Sequence, residues 1–449
     1  MSVRKNLIYN IAYQMLNMII PLITTPYISR ILGAEKVGIQ SYTYSVANYF
    51  VLFAMLGVNN HGNRSIAMVR DHKKKLSKTF WSIYIFQAII SSLVLVAYFN
   101  YIIFIVKDNK LIAFIQGIYI LGALLDLNWF FFGIEEFRLT VIRNIIIKII
   151  STISIFIFVK DSGDLPLYAL ILGSGILLSQ VILWHFLRKY IHFVKVKIKD
   201  IVNQIKPNLV LFVPEIAVSI YKVMDKIMIG SMSNMVQVGF YENSEKIINI
   251  PIGIIAALGT VMLPKMSNLQ ANGKKEESIR YIELSMKFVA IVFIGSTFAL
   301  IGISPVLVPI FLGEEFIDCI ELISLLSITL LFISWANVIR TQYLIPNKKD
   351  GIYIASTMLG AIVNLIINII LIPQYGAKGA VIGTIFAEAA VCIYQTIRVR
   401  KELDIKKYFK SNAFYFIPGI IMCIVLRYSE RILKEPSIIT EIILGSLIY

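Results

Sequence analysis

The sequence predicts an all-α polytopic membrane protein with 12 to 14 transmembrane helices, arranged as two pseudo-symmetric six-helix lobes around a central cavity. Of its 449 residues, 57% are hydrophobic and only 16% are charged. A soluble domain of this size needs a far larger polar surface than this composition supplies. Apolar runs of the ~20 residues needed to cross ~30 Å of hydrocarbon recur along the whole chain.

The predicted spans follow one another with short loops, which leaves no segment long enough for a separate soluble domain. The last apolar run begins at residue 437 and is too short for a full span, and truncation at Tyr449 is one explanation. The other spans are predicted at 7–29, 37–60, 79–106, 111–132, 139–159, 165–187, 207–230, 239–263, 281–308, 319–339, 351–372, 376–397 and 412–428.

The formal charge of +16 raises the question of a nucleic-acid partner, so the positions of the Lys and Arg residues matter. Most of the 43 fall in segments on the same side of the membrane as the N-terminus, and cytoplasmic loops are enriched in Lys and Arg. We therefore predict a cytoplasmic N-terminus and no nucleic-acid partner. The basic runs at 70–78 and 195–200 are expected to set topology and to contact anionic membrane lipids.

Two basic linkers divide the predicted spans into six, six and two. The linker at 188–206 follows the sixth span and that at 398–410 follows the twelfth, which predicts lobes at 1–206 and 207–410 and a final segment at 411–449. The segments 28–45 and 225–247 resemble each other. Each has a Gly after an apolar run and a Val-Gly pair before an aromatic and polar stretch. Such repeats are typical of transporters, whose substrate cavity lies between the repeats.

Polar residues recur at helical spacing in the first and seventh spans, and a polar stripe on a membrane helix must face protein or water. The cavity is therefore predicted to be lined from both lobes. The stripe in the first span is Asn10, Gln14, Asn17, Pro21 and Thr24, and that in the seventh is Glu215, Ser219, Lys222 and Lys226.

Charges inside predicted spans are the main candidates for function, because an ionisable group at the bilayer centre costs at least ~2.5 to 3.5 kcal/mol. We assign Lys222 and Asp225 to the substrate cavity. Lys222 or Lys226 is also predicted to pair with Glu245 when no substrate is bound. For Lys226 the alternatives are a structural pair or an ammonium group that reaches the outer surface.

Three further charges lie within predicted spans. Asp126 and Lys148 are expected to form a structural pair, with a role in gating or ion coupling as the alternative. Glu388 is a candidate site for a proton or a coupling ion. Cys319, Cys392 and Cys423 have no paired spacing, so we expect neither a disulfide nor a metal site. We also predict no cofactor and no enzymatic activity, because the loops are short and no nucleotide-binding Gly-rich loop occurs.

Several segments together give the chain a resemblance to a known family. It resembles the Wzx-type (RfbX-like) oligosaccharide flippases of the multidrug/oligosaccharidyl-lipid/polysaccharide (MOP) exporter superfamily, nearly from end to end. The segments are IPLITTPYISRILGAEKVGIQSYTYS (20–45), AMLGVNNHGNRSIAMVRD (54–71), DLNWFFFGIEEFRLTVIRN (126–144), YKVMDKIMIGSM (221–232) with VGFYENSEKI (238–247), and PQYGAKGAVIGTIFAE (373–388).

The resemblance implies transport of undecaprenyl-pyrophosphate-linked sugar repeat units from the inner to the outer leaflet of the bacterial cell membrane. The product would serve capsule, exopolysaccharide or O-antigen synthesis, with a polysaccharide polymerase and chain-length machinery as partners. The implied mechanism is alternating access driven by a gradient of H⁺ or Na⁺. A cationic cavity suits this substrate, because Lys and Arg can replace water around a pyrophosphate.

The resemblance also assigns residues at the ends of the first four spans. Arg30 matches the family's motif at the outer end of the first span, and an interfacial anchor is the alternative. Arg64 could meet the headgroup on loading. Glu136 and Arg138 could gate the cavity or merely cap the fourth span.

Two other functions stay open at this stage. A multidrug or small-cation antiporter would share the fold, but the sequence has no Asp or Glu before Gly33, where such exporters of the superfamily carry an acidic residue. The first predicted span contains no arginine, which differs from lipid II flippases. A membrane polysaccharide polymerase or glycosyltransferase is the third candidate, and it would require a carboxylate pair in an outer loop.

Overall fold

The computed structural model describes residues 3–432 and 437–449 of the chain, and every regular element in those residues is a helix. The helices are α1 Val3–Met55, α2 Val58–Val69, α3 Lys73–Phe104, α4 Lys110–Leu124, α5 Asn128–Gly133, α6 Phe137–Phe158, α7 Leu165–Leu187, α8 Ile198–Val202, α9 Ile205–Met232, α10 Met235–Ala271, α11 Lys275–Phe311, α12 Cys319–Ser327, α13 Thr329–Val338, α14 Asp350–Tyr375, α15 Ala377–Val399, α16 Ile405–Asn412, α17 Phe416–Ile432 and α18 Ile438–Ile448.

Ten helical stretches within the described residues are long and apolar enough to cross a membrane. They coincide with ten of the predicted spans and make this a multi-pass membrane protein, as predicted. The span predicted at 7–29 lies in α1 and that at 207–230 in α9. The span predicted at 37–60 is not one helix, because α1 ends at Met55, Leu56 and Gly57 have positive φ angles, and α2 begins at Val58. The count of 12 to 14 and the cytoplasmic N-terminus stay predictions. The ten stretches are Lys73–Phe104, Lys110–Gly133, Phe137–Phe158, Ser162–Leu187, Met235–Ala271, Lys275–Phe311, Cys319–Leu344, Asp350–Tyr375, Ala377–Val399 and Ile405–Ser429.

The first predicted span and the second as far as Met55 form one long helix, α1, which is kinked at Gly33. Gly33 has a φ of 73° and a ψ of 173°, a conformation that favours glycine because it has no Cβ. The kink frees the backbone N–H of Ala34, which donates to Oε1 of Glu315 at 2.8 Å. The short outer loop predicted here is therefore a kink that a carboxylate caps.

Contacts between residues divide the chain into two compact units. The N-unit comprises residues 1–24 and 39–227, and the C-unit comprises 25–38 and 228–449. The segment 25–38 belongs to the C-unit because Ser29 accepts a hydrogen bond from Nδ2 of Asn243 at 2.8 Å. A boundary within α9 differs from the predicted boundary at residue 206, and the division into lobes at 1–206, 207–410 and 411–449 stays a prediction.

The core of the N-unit is aromatic and lies around the fourth predicted span. That span is not one helix, since α4 ends at Leu124 and α5 begins at Asn128. The residues of α5 pack inward, and Trp129, Phe130 and Phe131 are all buried. Phe80 of α3 stacks on Trp129 with ring centroids 5.5 Å apart. The break thus turns a short aromatic helix into the core.

The C-unit has its own irregular helix at the tenth predicted span. Helices α12 and α13 continue into a π-helix at Ile339–Leu344, a wider turn that is rare in proteins. Next to it, α14 and α15 pack closely, and Nδ2 of Asn368 donates to Oδ1 of Asn364 at 3.1 Å within this packed pair.

Candidate functional site in the N-unit

Helix α2 is short and has two different faces. Val58, Gly62 and Ile66 are buried, at the spacing of four residues that places them on one side of a helix. The opposite side carries polar residues, and Asn60 and Arg64 are both exposed. The helix therefore presents an amide and a guanidinium group one turn apart, away from the core.

The buried face of α2 lies directly on α5. A Cβ added to Gly62 would stand 2.5 Å from a ring carbon of Trp129, and one added to Gly133 would stand 2.7 Å from Cβ of Ile66. Two of the segments that carry the family resemblance, 54–71 and 126–144, thus pack against each other. Arg70 adds a salt bridge to Glu135 at 2.6 Å, and this hydrogen-bonded carboxylate raises the pKa of Arg70.

The polar face of α2 meets the polar stripe of α9. Nδ2 of Asn60 donates to Oε1 of Glu215 at 2.6 Å, and one turn further along α9 the hydroxyl of Tyr49 donates to the carbonyl of Ser219 at 3.2 Å. We call the five residues Tyr49, Asn60, Arg64, Glu215 and Ser219 the open strip. Its side chains are exposed or half-buried, so a polar ligand can reach them.

Asp225 is a further ionisable residue of α9, beyond the open strip and on a different side of the helix. It lies six residues after Ser219, about 9 Å along the helix, and is 5% exposed. A buried ionisable group in a membrane helix is a functional candidate by default. Asp225 is thus a second acidic group on the same helix as Glu215.

A second polar group lies at the break between α4 and α5, where two of its residues are buried and two are half-buried. The carboxylate of Asp126 accepts hydrogen bonds from the backbone N–H of Asn128 at 2.7 Å, from its side-chain amide at 2.9 Å and from Nε2 of Gln180 at 2.9 Å. Arg143 donates to Oδ1 of Asn128 at 2.9 Å and to the carbonyl of Ser179 at 2.8 Å. We call Asp126, Asn128, Arg143 and Gln180 the closed cluster.

The closed cluster sits where the helix break leaves backbone carbonyls without helical partners. Nε2 of Gln87 donates to the carbonyls of Ala123 at 2.7 Å and Asp126 at 3.0 Å, while its Oε1 accepts from the indole of Trp129 at 2.9 Å. The indole of Trp184 donates to the carbonyl of Leu125 at 3.0 Å. Side chains therefore donate hydrogen bonds to the backbone carbonyls at the break, as burial in a membrane protein requires.

Asp126 thus has amide partners and a nearby guanidinium group. The pairing of Asp126 with Lys148 stays a prediction. Lys148 is half-buried in α6, and its carbonyl accepts from the hydroxyl of Thr152 at 2.8 Å.

The other residues that the sequence assigns to the substrate cavity belong to both units. The side chains of Asn17 and Lys222 lie outside the described residues. Lys226 and Glu245 are both half-buried, in α9 and α10 respectively. The pairing of Lys222 or Lys226 with Glu245 stays a prediction.

The residues assigned to the ends of spans and to ion coupling differ in burial. Arg30 is exposed and its guanidinium donates to the carbonyl of Ile310 in the C-unit. Arg138 is exposed, whereas Glu136 is half-buried and hydrogen bonded to Tyr190, whose pKa is raised by burial and by this carboxylate. Glu388 is 9% exposed in α15. The roles predicted for these four residues stay predictions.

Sequence reasoning missed several residues of both sites. Arg143 is 5% exposed, although its position near the inner end of a predicted span was interpreted as a topology signal. Asn60 was missed because its partner Glu215 lies 155 residues away. A usable signal was the pair of amides in "NNHGN" (59–63), which is polar at the end of an apolar span.

Among the residues that the structure describes, no group of three or more His, Cys, Asp or Glu is arranged to hold a metal ion. The hydrogen-bonding groups of the open strip are a phenol, an amide, a guanidinium group and a carboxylate. The amide and the guanidinium group can donate hydrogen bonds to hydroxyl and phosphate oxygens, and the carboxylate can accept hydrogen bonds from hydroxyl groups.

Comparisons with known proteins give this geometry a context. The sequence profile of a family described as polysaccharide biosynthesis protein matches residues 3–270, which is more than half of the chain. A protein of Shigella dysenteriae named "Putative O-antigen transporter" is 24% identical over 404 residues, covering 88% of this chain and 100% of that protein. A protein of Escherichia coli K12 with the same name is 23% identical and covers 89% of this chain and 97% of its own length.

The fold is also found among solved structures. "Lipid II flippase MurJ, inward closed conformation" aligns with a TM-score of 0.77 and 16% identity, covering 99% of this chain and 97% of that one. An inward-facing multidrug resistance MATE family transporter of the MOP superfamily aligns with a TM-score of 0.64 and 14% identity, over 88% of this chain and 98% of that one. These two alignments show a shared fold, and the family match over residues 3–270 confirms the predicted resemblance to a polysaccharide biosynthesis family.

Proposed function

We propose that this chain, which belongs to the polysaccharide biosynthesis protein family, is a flippase for lipid-linked oligosaccharide repeat units. Its substrate would be an undecaprenyl-pyrophosphate-linked glycan, carried from the inner to the outer leaflet of the bacterial cell membrane by alternating access. The family match, the two relatives named as O-antigen transporters and the MurJ-like fold support this proposal. No bond of the glycan is made or broken in the process.

The open strip is the observation that carries the proposal. It places hydroxyl, amide, guanidinium and carboxylate groups on α1, α2 and α9, in a protein whose membrane-spanning helices expose many apolar side chains. A glycan crossing the membrane loses its water, and each unpaired hydroxyl then costs several kcal/mol in an apolar medium, ~4 to 8 relative to water. A strip of hydrogen-bonding groups replaces that water.

The anionic end of the substrate requires a positive charge. Arg64, one turn from Asn60, can donate two parallel hydrogen bonds to a phosphate. In this proposal Arg64 contacts the pyrophosphate during loading, and Lys222 takes over deeper in the membrane. Glu215 and Asp225 accept hydrogen bonds from sugar hydroxyls.

We further propose that a gradient of H⁺ or Na⁺ drives the cycle, and that Glu388 takes part in ion coupling. Glu388 is buried in a membrane-spanning helix, where a proton or cation would offset the cost of its charge. Asp126, whose carboxylate accepts three hydrogen bonds, is the second candidate for ion coupling.

The experiment is deletion of the gene and complementation with the full chain, followed by analysis of lipid-linked repeat units. We expect the deletion strain to accumulate repeat units on the cytoplasmic side and to lose surface polymer. Expression of the full chain should end the accumulation and bring the polymer back. Normal export without the chain would contradict the proposal.

The same strains separate the flippase from a multidrug or small-cation antiporter. An antiporter predicts normal surface polymer together with greater sensitivity to cationic drugs. A flippase predicts the reverse, because its substrate is made inside the cell. Growth on drug gradients measured beside polymer content therefore decides between the two.

A further inference from the structure

A groove with an apolar floor is present in the C-unit, at the end of the chain's second basic linker. It has a volume of about 610 Å³, which is within the usual range for small-molecule sites of ~300 to 1,000 Å³. Val289 and Phe293 of α11 form its floor and are fully buried. Ile393 of α15 and Phe409 of α16 form its walls and are 55% and 65% exposed, so the groove is open on one side.

Helix α16 provides one wall of the groove. It also carries Lys406, the only charged residue among those that line the groove in the described part of the C-unit. Ile405, Phe409 and Asn412 line the groove at intervals of four and three residues, the spacing of one helical face. Asp404 caps the helix by accepting from the backbone N–H of Lys407 at 3.1 Å, and Nζ of Lys407 bonds Oε2 of Glu283 at 2.9 Å. These two hydrogen bonds fix the position of α16 and place Lys406 beside the groove.

The N–H groups deeper in the groove already have acceptors, and Oδ1 of Asn412 is the one buried side-chain oxygen of the described lining that has no hydrogen-bond partner. The indole of Trp335 donates to the hydroxyl of Thr396 at 3.1 Å, and Nδ2 of Asn412 donates to the carbonyl of Met286 at 3.3 Å. A ligand that fits must therefore be apolar over most of its length and anionic at the end near Lys406. A phospholipid with an anionic headgroup has this combination.

We propose that this groove binds an anionic membrane phospholipid, with an acyl chain along Phe293 and Phe409 and the headgroup phosphate at Lys406. A neutral lipid could fill the same volume, so the preference for an anionic lipid must come from charge. Basic pockets between transmembrane helices bind anionic headgroups, and each Lys near an anionic surface contributes ~1 kcal/mol. The basic linker at 398–410 adds to the local positive potential. The proposal does not depend on the flippase activity.

Tryptophan fluorescence reports occupancy, because bromine atoms on an acyl chain quench an indole that they contact. The full chain is reconstituted in phosphatidylcholine vesicles that contain either brominated phosphatidylglycerol or brominated phosphatidylcholine. Trp335 lines the groove, and the other three tryptophans lie in the N-unit. The signal of Trp335 is the difference between the wild type and Trp335→Phe.

We expect stronger quenching of Trp335 by brominated phosphatidylglycerol than by brominated phosphatidylcholine at equal content. Lys406→Gln is expected to lower this preference about fivefold, and high salt is expected to weaken it. Lys401→Gln is the matched control, because Lys401 is exposed in the same linker but does not line the groove. Equal quenching by the two lipids, or an equal loss in both lysine variants, would overturn the proposal.

A second pair of variants tests the groove itself. Ala413→Phe should occupy the groove and reduce quenching by both lipids, whereas Ser411→Phe, on an exposed position outside it, should not. Unchanged quenching in a folded Ala413→Phe would also overturn the proposal. Each variant is checked for a monodisperse profile in detergent. Displacement of the brominated lipid by a polyprenyl phosphate at lower concentrations than by unbrominated phosphatidylglycerol would assign the groove to an isoprenoid lipid instead.

Discussion

Asp126 in the closed cluster and Glu215 in the open strip are both carboxylates hydrogen bonded by a side-chain amide, but their surroundings are opposite. Asp126 accepts two hydrogen bonds from side-chain amides and a third from the backbone N–H of Asn128, and Arg143 beside it is buried. Glu215 receives its hydrogen bond from Asn60, which is exposed, and the nearby Arg64 is exposed as well. Arg143 and Gln180 of the first set are buried, whereas Asn60 and Arg64 of the second are exposed to a ligand.

This difference separates a structural role from a binding role within one unit. The closed cluster secures the break between α4 and α5, and α5 in turn supports α2 through Trp129 and Gly62. Helix α2 then presents Asn60 and Arg64. The closed cluster thus supports the helix that carries Asn60 and Arg64. Substitutions in the closed cluster should therefore lower stability, and substitutions in the open strip should lower transport.

The largest effect is expected for Arg143→Ala. Arg143 donates hydrogen bonds to Oδ1 of Asn128 and to the carbonyl of Ser179, and each buried acceptor left without a donor costs ~1 to 3 kcal/mol. We expect little monodisperse protein in detergent and a much lower thermal midpoint. Arg138→Ala, an exposed position on the same helix, is the control and should behave like the wild type. Equal stability of the two variants would show that the closed cluster does not stabilise the fold.

A smaller loss of stability is expected for Gly62→Val. Its side chain would clash with the ring of Trp129, and overpacking of a core costs ~1 to 3 kcal/mol. The displacement of α2 should also reduce export of repeat units. Gly351→Val is the control for helix propensity, because nothing lies within 4 Å of a Cβ at that position. Thermal unfolding and polymer content measure the two effects, and a wild-type result in both would contradict the coupling of α5 to α2.

For Glu215→Gln we expect normal amounts of folded protein and about tenfold slower translocation. A hydrogen bond to a charged group contributes ~1.5 to 3 kcal/mol, and 1.4 kcal/mol corresponds to a factor of about ten. Asp108→Asn makes the same chemical change at an exposed position of the N-unit outside both sites. Normal translocation by Glu215→Gln would exclude the open strip as a substrate path.

The smallest effect concerns Asp200, which lies in α8 outside the membrane-spanning helices. Nζ of Lys78 donates to its carboxylate at 3.1 Å and holds the pKa of Asp200 below its ordinary value. Because the folded pKa is the lower one, the bond stabilises the protein at neutral pH and is lost as the pH falls through it. The difference in thermal midpoint between wild type and Asp200→Asn should therefore be constant above the ordinary Asp pKa of ~3.9 and shrink as the pH falls below it. A difference independent of pH would contradict this pairing.

Much of the fold follows from hydropathy alone. The span predicted at 165–187 is α7, Leu165–Leu187, and the span predicted at 376–397 is α15, Ala377–Val399. Long apolar runs have few alternatives to a helix in a membrane, because their backbone must be hydrogen bonded internally. The break at Asp126 was not predicted, since the side chains that satisfy it come from α3, α6 and α7.

The candidate site was predicted in part for the same reason. The stripe with Glu215 and Ser219 follows from helical spacing, which is local in sequence. Their partners Asn60 and Tyr49 depend on tertiary packing, and Arg143 has the same sequence signal as an ordinary basic residue at the end of a span. Periodicity therefore identified one side of the open strip, and the structure was needed for the other.

The central claim is that this chain itself moves a lipid-linked glycan across a bilayer. The most direct measurement uses the purified chain in vesicles that contain the lipid-linked repeat unit, with an imposed ion gradient. A membrane-impermeant glycan-cleaving enzyme then reports how much substrate reaches the outer leaflet. We predict that the wild type exposes substrate initially present in the inner leaflet and that Glu215→Gln does so far more slowly. If wild-type vesicles expose no more substrate than vesicles without protein, the account is wrong.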